Sequence, residues 1–153
     1  MLIGQHTQNG YICDDIEAGI ALFRARGLDR DPTIIPVDQI VQTPTGPKRQ
    51  QLRLCMFWLN GLQYELIQPI VDETNVYANA PSNGGPLRFH HVNMKVDDWA
   101  AFRARVEGQD FPVAFEGGGD DLKFLYLDAR KVFGHYLEYT WMTDATWEQI
   151  KAM

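Results

Sequence analysis

Asp14-Asp15 and Asp97-Asp98 stand 83 residues apart, and each pair closes a short strand-like run and opens a helical one. A repeat at that spacing constrains the chain more than any single residue does. It calls for two copies of one supersecondary unit sharing a core. Phe-Arg-Ala-Arg also occurs twice, from Phe23 and from Phe102, but 79 residues apart, a slip of about one helical turn.

The first strand of each copy reads as Gln8–Cys13 and His91–Val96. In the second, Val92, Met94 and Val96 alternate with His91, Asn93 and Lys95. Asp15 and Asp98 suit helix N-caps, where a carboxylate accepts from otherwise unpaired backbone N–H groups and faces the positive end of the dipole. Gly27 and Gly108 sit where a left-handed helix terminus is expected. Three further strands follow in each copy: 38–42, 51–59 and 63–68 in the first, and 113–116, 123–127 and 135–140 in the second. Asn60-Gly61 marks a tight hairpin. Gly117-Gly118-Gly119 lacks the lysine and helix of a phosphate loop and reads as a turn. The expected fold is therefore α+β with two βαβββ modules. The modules are expected over 1–71 and 87–142, with a linker rich in Asn, Pro, Ser and Gly over 72–86. The tail, 143–153, is expected to end in a short helix after Thr143 or Asp144.

At 153 residues the chain buries roughly 70% of its unfolded surface without staples. Fourteen Lys+Arg against twenty Asp+Glu give a net charge of −6, with no basic block to attract nucleic acid or anionic membrane. No apolar run approaches the ~20 residues of a membrane span, and Met1–His6 does not read as a signal peptide. Cys13 and Cys55 read as buried, reduced thiols within strands. These features predict a cytoplasmic protein that partners neither nucleic acid nor membrane.

Glu65 and Glu138 carry the chemical signal. Each stands in an apolar or aromatic strand, Tyr64-Glu65-Leu66-Ile67 and Tyr136-Leu137-Glu138-Tyr139, and each is in the last strand of its copy. Glutamate is depleted in strands and rarely buried unless paired or bound to metal. Alternation puts His91, Asn93 and Lys95 on one face, and Tyr136, Glu138 and Thr140 on one face. Tyr126, Tyr136, Trp58 and Phe124 either line a cleft or pack the sheet. Arg53, Arg88 and Arg130 either meet a substrate carboxylate or lie solvated at the surface.

The segments Gln8–Glu17, Tyr64–Pro69, His90–Asp98 and Gly134–Tyr139 resemble the landmark strands of the vicinal oxygen chelate superfamily, over residues 4–142. That superfamily includes glyoxalase I, methylmalonyl-CoA epimerase, extradiol dioxygenases and bleomycin- and fosfomycin-resistance proteins. The resemblance implies one divalent ion (Zn, Ni, Co, Mn or Fe) held by Gln8 and Glu65 from the first module and His91 and Glu138 from the second. His6 competes with Gln8 for the first position. Gln8 is preferred because it precedes Asp15 by the same interval that separates His91 from Asp98. His90, on the opposite strand face, is expected to be structural or part of a lid. The resemblance implies isomerase, epimerase or lyase chemistry on a small carbonyl or hydroxy-carbonyl compound through a metal-stabilised enolate. Glu138 or Glu65 would be the base, and Asn93, Tyr126 and Tyr136 would meet the substrate. A non-catalytic binder of the same fold is the alternative and a ring-cleaving dioxygenase a further one, the latter weakened because only one of the four positions is histidine. The resemblance also implies that the two modules form a curled mixed sheet around a central cleft, that the partner is a small molecule and that the chain forms a homodimer.

Overall fold

The structure, a computed structural model, describes residues 3–153; Met1 and Leu2, where the N-terminal reading begins, lie outside the described residues. The first copy runs β1 (Gln5–Cys13), α1 (Ile16–Arg24), β2 (Ile34–Thr43), β3 (Gly46–Leu59) and β4 (Leu62–Asp72). The second runs β5 (Leu87–Lys95), α2 (Trp99–Val106), β6 (Val113–Gly118), β7 (Leu122–Leu127) and β8 (Tyr136–Met142), with a short helix α3 (Arg130–Phe133) before β8 and α4 (Asp144–Lys151) after it. Both modules are thus βαβββ in outline.

Local chemistry starts both main helices alike. Asp15 accepts from the Ala18 N–H at 3.0 Å and Asp98 from the Ala101 N–H at 2.9 Å. The glycine stops differ. Gly27 is left-handed (φ 111°), but α1 already ends at the Ala25 cap, and Gly108 does not enter that region. The glycine triplet forms the β6–β7 hairpin, where Gly118 at φ 103° approaches Leu122 too closely for any Cβ.

The eight strands close into a barrel in the order β1-β4-β3-β2-β6-β7-β8-β5. In each module the first and last strands pair in parallel, with Gly10 opposite Glu65 and Asn93 opposite Glu138. The modules meet along two unequal seams. β1 and β5 run antiparallel over their length, with Gln8 opposite Asn93 and Gly10 opposite His91, whereas β2 and β6 share the single pair Gln42–Glu116.

Helix α1 covers one outer face through Ile16 and Ile20 on Cys55, Phe57 and Leu66. Helix α2 covers another through Phe102 and Val106 on Leu125, Leu137 and Tyr139. A third cluster lies inside the barrel, where Ile12, Leu52, Ile67, Phe115, Tyr126 and Tyr136 fill one end. The expected linker contributes to it. β4 extends to Asp72, a 3-10 turn spans Tyr77–Asn79, and Val76, Tyr77 and Ala80 are buried in this cluster. Asp72 organises that turn by accepting from the Thr74 and Tyr77 N–H groups. At the other end of the barrel, α4 lies across the mouth. The Trp58 indole N–H donates to the Ile150 carbonyl at 2.9 Å, and its ring meets Trp147 edge-on.

Candidate metal centre

Between the filled end and α4 the barrel holds a cavity of 220 Å³. Four polar side chains converge at one place: Gln8, Glu65 and Glu138 line the cavity, and His91 lies outside its lining in contact with all three. His91 Nε2 lies 3.2 Å from Glu138 Oε2, 3.4 Å from Glu65 Oε2 and 3.4 Å from Gln8 Oε1. All four residues are buried, and the ligand atoms of Glu65, His91 and Glu138 lie within 4.8 Å of one another. His6 is not among them: it is exposed and bonds the Asn9 side chain at 2.9 Å. The reason is a register shift between His6 and Gln8, which turns both Thr7 and Gln8 into the cavity and breaks the alternation that would have placed His6 beside Gln8.

The protons around His91 can be assigned from the chain of partners. The Val76 carbonyl can only accept, so the His90 ring donates to it through Nε2–H at 3.2 Å. Burial holds the His90 pKa well below its ordinary value, so its Nδ1 carries a lone pair and accepts from His91 Nδ1–H at 3.0 Å. In the neutral ring, His91 Nε2 then has its own lone pair aimed at the glutamates. Burial opposes charging His91, but the Glu138 carboxylate bonded to it, together with Glu65, outweighs burial and raises its pKa. Burial raises the Glu65 pKa to about 7, with His91 opposing and Glu138 adding to the rise. With His91 neutral, three oxygens and one nitrogen point lone pairs at one place, where a cation would take the position of the His91 proton and relieve their repulsion.

Asn93 fixes one of the glutamates. Its Oδ1 accepts from the Thr7 and Thr140 hydroxyls at 2.9 and 3.1 Å, which leaves its Nδ2–H to donate to Glu138 Oε2 at 2.6 Å. Tyr126 lines the cavity beside His91, with ring centres 5.1 Å apart, and burial pushes its hydroxyl pKa well above the usual range. Tyr136 lies elsewhere. It packs in the cluster at the filled end, with Arg130 stacked on its ring, and does not line the cavity. Phe124 lines the cavity, while Trp58 holds α4. The three arginines are already paired: Arg53 with Glu17, Arg88 with Asp14 and Arg130 with Asp128.

Sequence reasoning passed over Gln63, Gly10 and the role of His90. Gln63 Oε1 accepts from Gln8 Nε2–H at 2.8 Å and so keeps Gln8 Oε1 turned to the cluster. Its position two residues before Glu65 put it on the same face, and alternation alone would have found it. His90→Phe removes the acceptor that holds the His91 tautomer. The expected result is an affinity for Zn²⁺ lower by about 10- to 100-fold, read by competition with a chromophoric chelator, with partial recovery in His90→Gln.

A barrel of paired βαβββ modules with an interior His-carboxylate cluster defines a recognisable class of protein. The family model for the Glyoxalase/Bleomycin resistance protein/Dioxygenase superfamily matches residues 7–126, and the chain belongs to that superfamily. No curated protein sequence matches the chain. Among solved structures, a variant of methylmalonyl-CoA epimerase from Streptomyces coelicolor, in complex with 2-nitronate-propionyl-CoA, is similar at TM-score 0.61 and 15% identity, over 94% of this chain and 97% of that one. The epimerase from Mycobacterium tuberculosis is similar at 0.60 and 15%, over 97% of both chains. A hypothetical protein from Bacillus halodurans is similar at 0.61 and 13%, over 92% of this chain and 95% of that one. At these identities the likeness is one of fold. Among the described residues no helix is long and apolar enough to cross a membrane.

Proposed function

We propose that the protein is a divalent-metal-dependent enzyme of the isomerase or epimerase kind, moving a proton at a carbon next to a carbonyl. The observation that carries this reading is the convergence of Gln8 Oε1, Glu65, Glu138 and the lone pair of His91 Nε2 inside the barrel. The donor set fits a hard-to-borderline ion, and two carboxylates balance its charge. When bound, a divalent ion would act as a Lewis acid on two adjacent substrate oxygens. The chain supplies the rest. His91 and Gln8 stay in place through His90 and Gln63, and Glu138 is tethered by Asn93. Glu65 is then the better placed of the two glutamates to take the proton and return it, while α4 and the apolar walls keep bulk water from the reacting carbon.

The test has two parts. Chelator-stripped protein titrated with Zn²⁺, Mn²⁺ or Co²⁺ is expected to take up one ion per chain. The loaded protein, incubated in D₂O with small α-hydroxyketones, is expected to catalyse exchange of the proton next to the carbonyl, followed by NMR. A chain that holds no ion overturns the reading. An ion held without exchange, alongside tight binding of the same ketones, supports the non-catalytic binder of the same fold instead.

A further inference from the structure

Among the described residues, one buried polar group of the cavity lining finds no partner. Gln63 is 3% exposed and lines the cavity, and its Oε1 is engaged by Gln8, yet its Nε2 is buried without a hydrogen-bond partner. The reverse amide orientation would turn Gln8 Nε2 toward the metal position, so the unpaired group beside the cavity is the Gln63 Nε2–H. A buried donor left unpaired is costly, and an oxygen of an occupant beside the cluster would satisfy it.

Charge narrows the occupant further. Among the described residues no lysine, arginine or histidine lines the cavity, and its two charged residues are Glu65 and Glu138. The rest of the wall is uncharged, with apolar side chains such as Leu54, Met56, Phe124 and Trp147 and neutral polar ones such as Gln39 and Thr140. Lys95 follows the strand face of His91 and Asn93, but its ammonium lies against the Trp147 ring and pairs with Asp97 at 2.8 Å. Arg53, Arg88 and Arg130 are committed to carboxylates of the chain itself. An anionic group on the occupant would therefore be buried with no counter-charge once the ion is balanced by the two glutamates. The volume, 220 Å³, lies below the roughly 300–1,000 Å³ usual for pockets that bind drug-sized ligands.

We propose that the occupant is a compact molecule with two adjacent oxygens and no carboxylate or phosphate on the part that enters the barrel, and that Gln63 donates a hydrogen bond to one of those oxygens. This rests on the metal site proposed above and goes beyond it, because it excludes carboxylated acyl groups as the reacting part. Gln63 and the uncharged wall together set the specificity.

The probes are comenic acid and its methyl ester, chelating hydroxypyranones that differ in one carboxylate, titrated into Zn²⁺-loaded protein with tryptophan fluorescence as readout. Zn²⁺ affinity, measured beforehand by chelator competition, decides the metal reading separately from charge preference. The ester is expected to bind at least about tenfold more tightly than the acid. Gln63→Glu keeps the acceptor for Gln8 but loses the donor, so ester affinity should fall about tenfold while Zn²⁺ affinity holds or rises; a damaged fold would lower both. Met142→Lys places a cation in the wall and should raise affinity for the acid about tenfold over wild type. Equal or tighter binding of the acid to the wild type, unchanged ester binding in Gln63→Glu, or binding of neither probe would each overturn the proposal.

Discussion

Alanine at Glu65 or at Glu138 is expected to lower affinity for a divalent ion on the order of a thousandfold and to remove any metal-dependent proton exchange with it. Each change deletes a ligand and one of the two negative charges that balance the ion in a buried site. Losing one partner of a buried charge set costs about 3–5 kcal/mol, and each 1.4 kcal/mol is about tenfold in affinity. The two variants should differ in the metal-free state. Glu65→Ala relieves the crowding of two buried carboxylates around His91. Its unfolding temperature without metal should stay at or above that of the wild type. Glu138→Ala also strips Asn93 Nδ2 of its acceptor, so its metal-free form should lose roughly 1–3 kcal/mol. Chelator competition and thermal unfolding, each with and without Zn²⁺, check both statements. Retention of the ion at wild-type affinity by either variant would refute the assignment.

The second large effect is expected at a residue with no side chain. A Cβ on Gly10 would lie 1.9 Å from His91 Cε1 and 2.3 Å from its Nδ1, so the imidazole occupies the space beside the bare strand. His91 is fully buried and bonded to His90, so it has nowhere to swing. Gly10→Ala should therefore cost about 3 kcal/mol, which for a chain of this size is roughly 6–12 °C in unfolding temperature. It should also displace Nε2 and weaken Zn²⁺ binding by at least about tenfold. Gly27→Ala serves as the comparison, since nothing lies within 4 Å of a Cβ there and only backbone strain at its positive φ is at stake. Equal effects at the two glycines would refute the packing argument.

The repeat made the fold legible because both copies use one local grammar. The aspartate caps, the parallel first and last strands and the inward-facing glutamates recur at matched positions, and the spacing from Gln8 to Asp15 and from His91 to Asp98 picked the strand position that faces the cavity. What escaped depended on contacts between distant segments. The register shift at Thr7 arises from pairing β1 with β5 and leaves no mark in the sequence of β1. Segment 72–86 looked like a linker because it is polar and rich in turn formers, yet Val76 and Tyr77 fold into the barrel once Asp72 ties the turn. Helix α4 was expected, but its place over the mouth depends on Trp58, ninety-two residues away. Tyr136 shares a strand face with Glu138, as alternation required, but two residues along a barrel strand is far enough to move from the cavity into the filled end.

The pairing of Gly10 with Glu65 and of Asn93 with Glu138 has a further meaning. Two identical halves meeting across a symmetry axis would be bound to present identical groups: two amides or two imidazoles, and two glycines or two asparagines. One covalent chain escapes that constraint. Here one half gave up a side chain to make room for the other's imidazole, and the other half kept an asparagine that braces its own acid. Asymmetric division of labour at a shared centre is what joining the halves makes physically available.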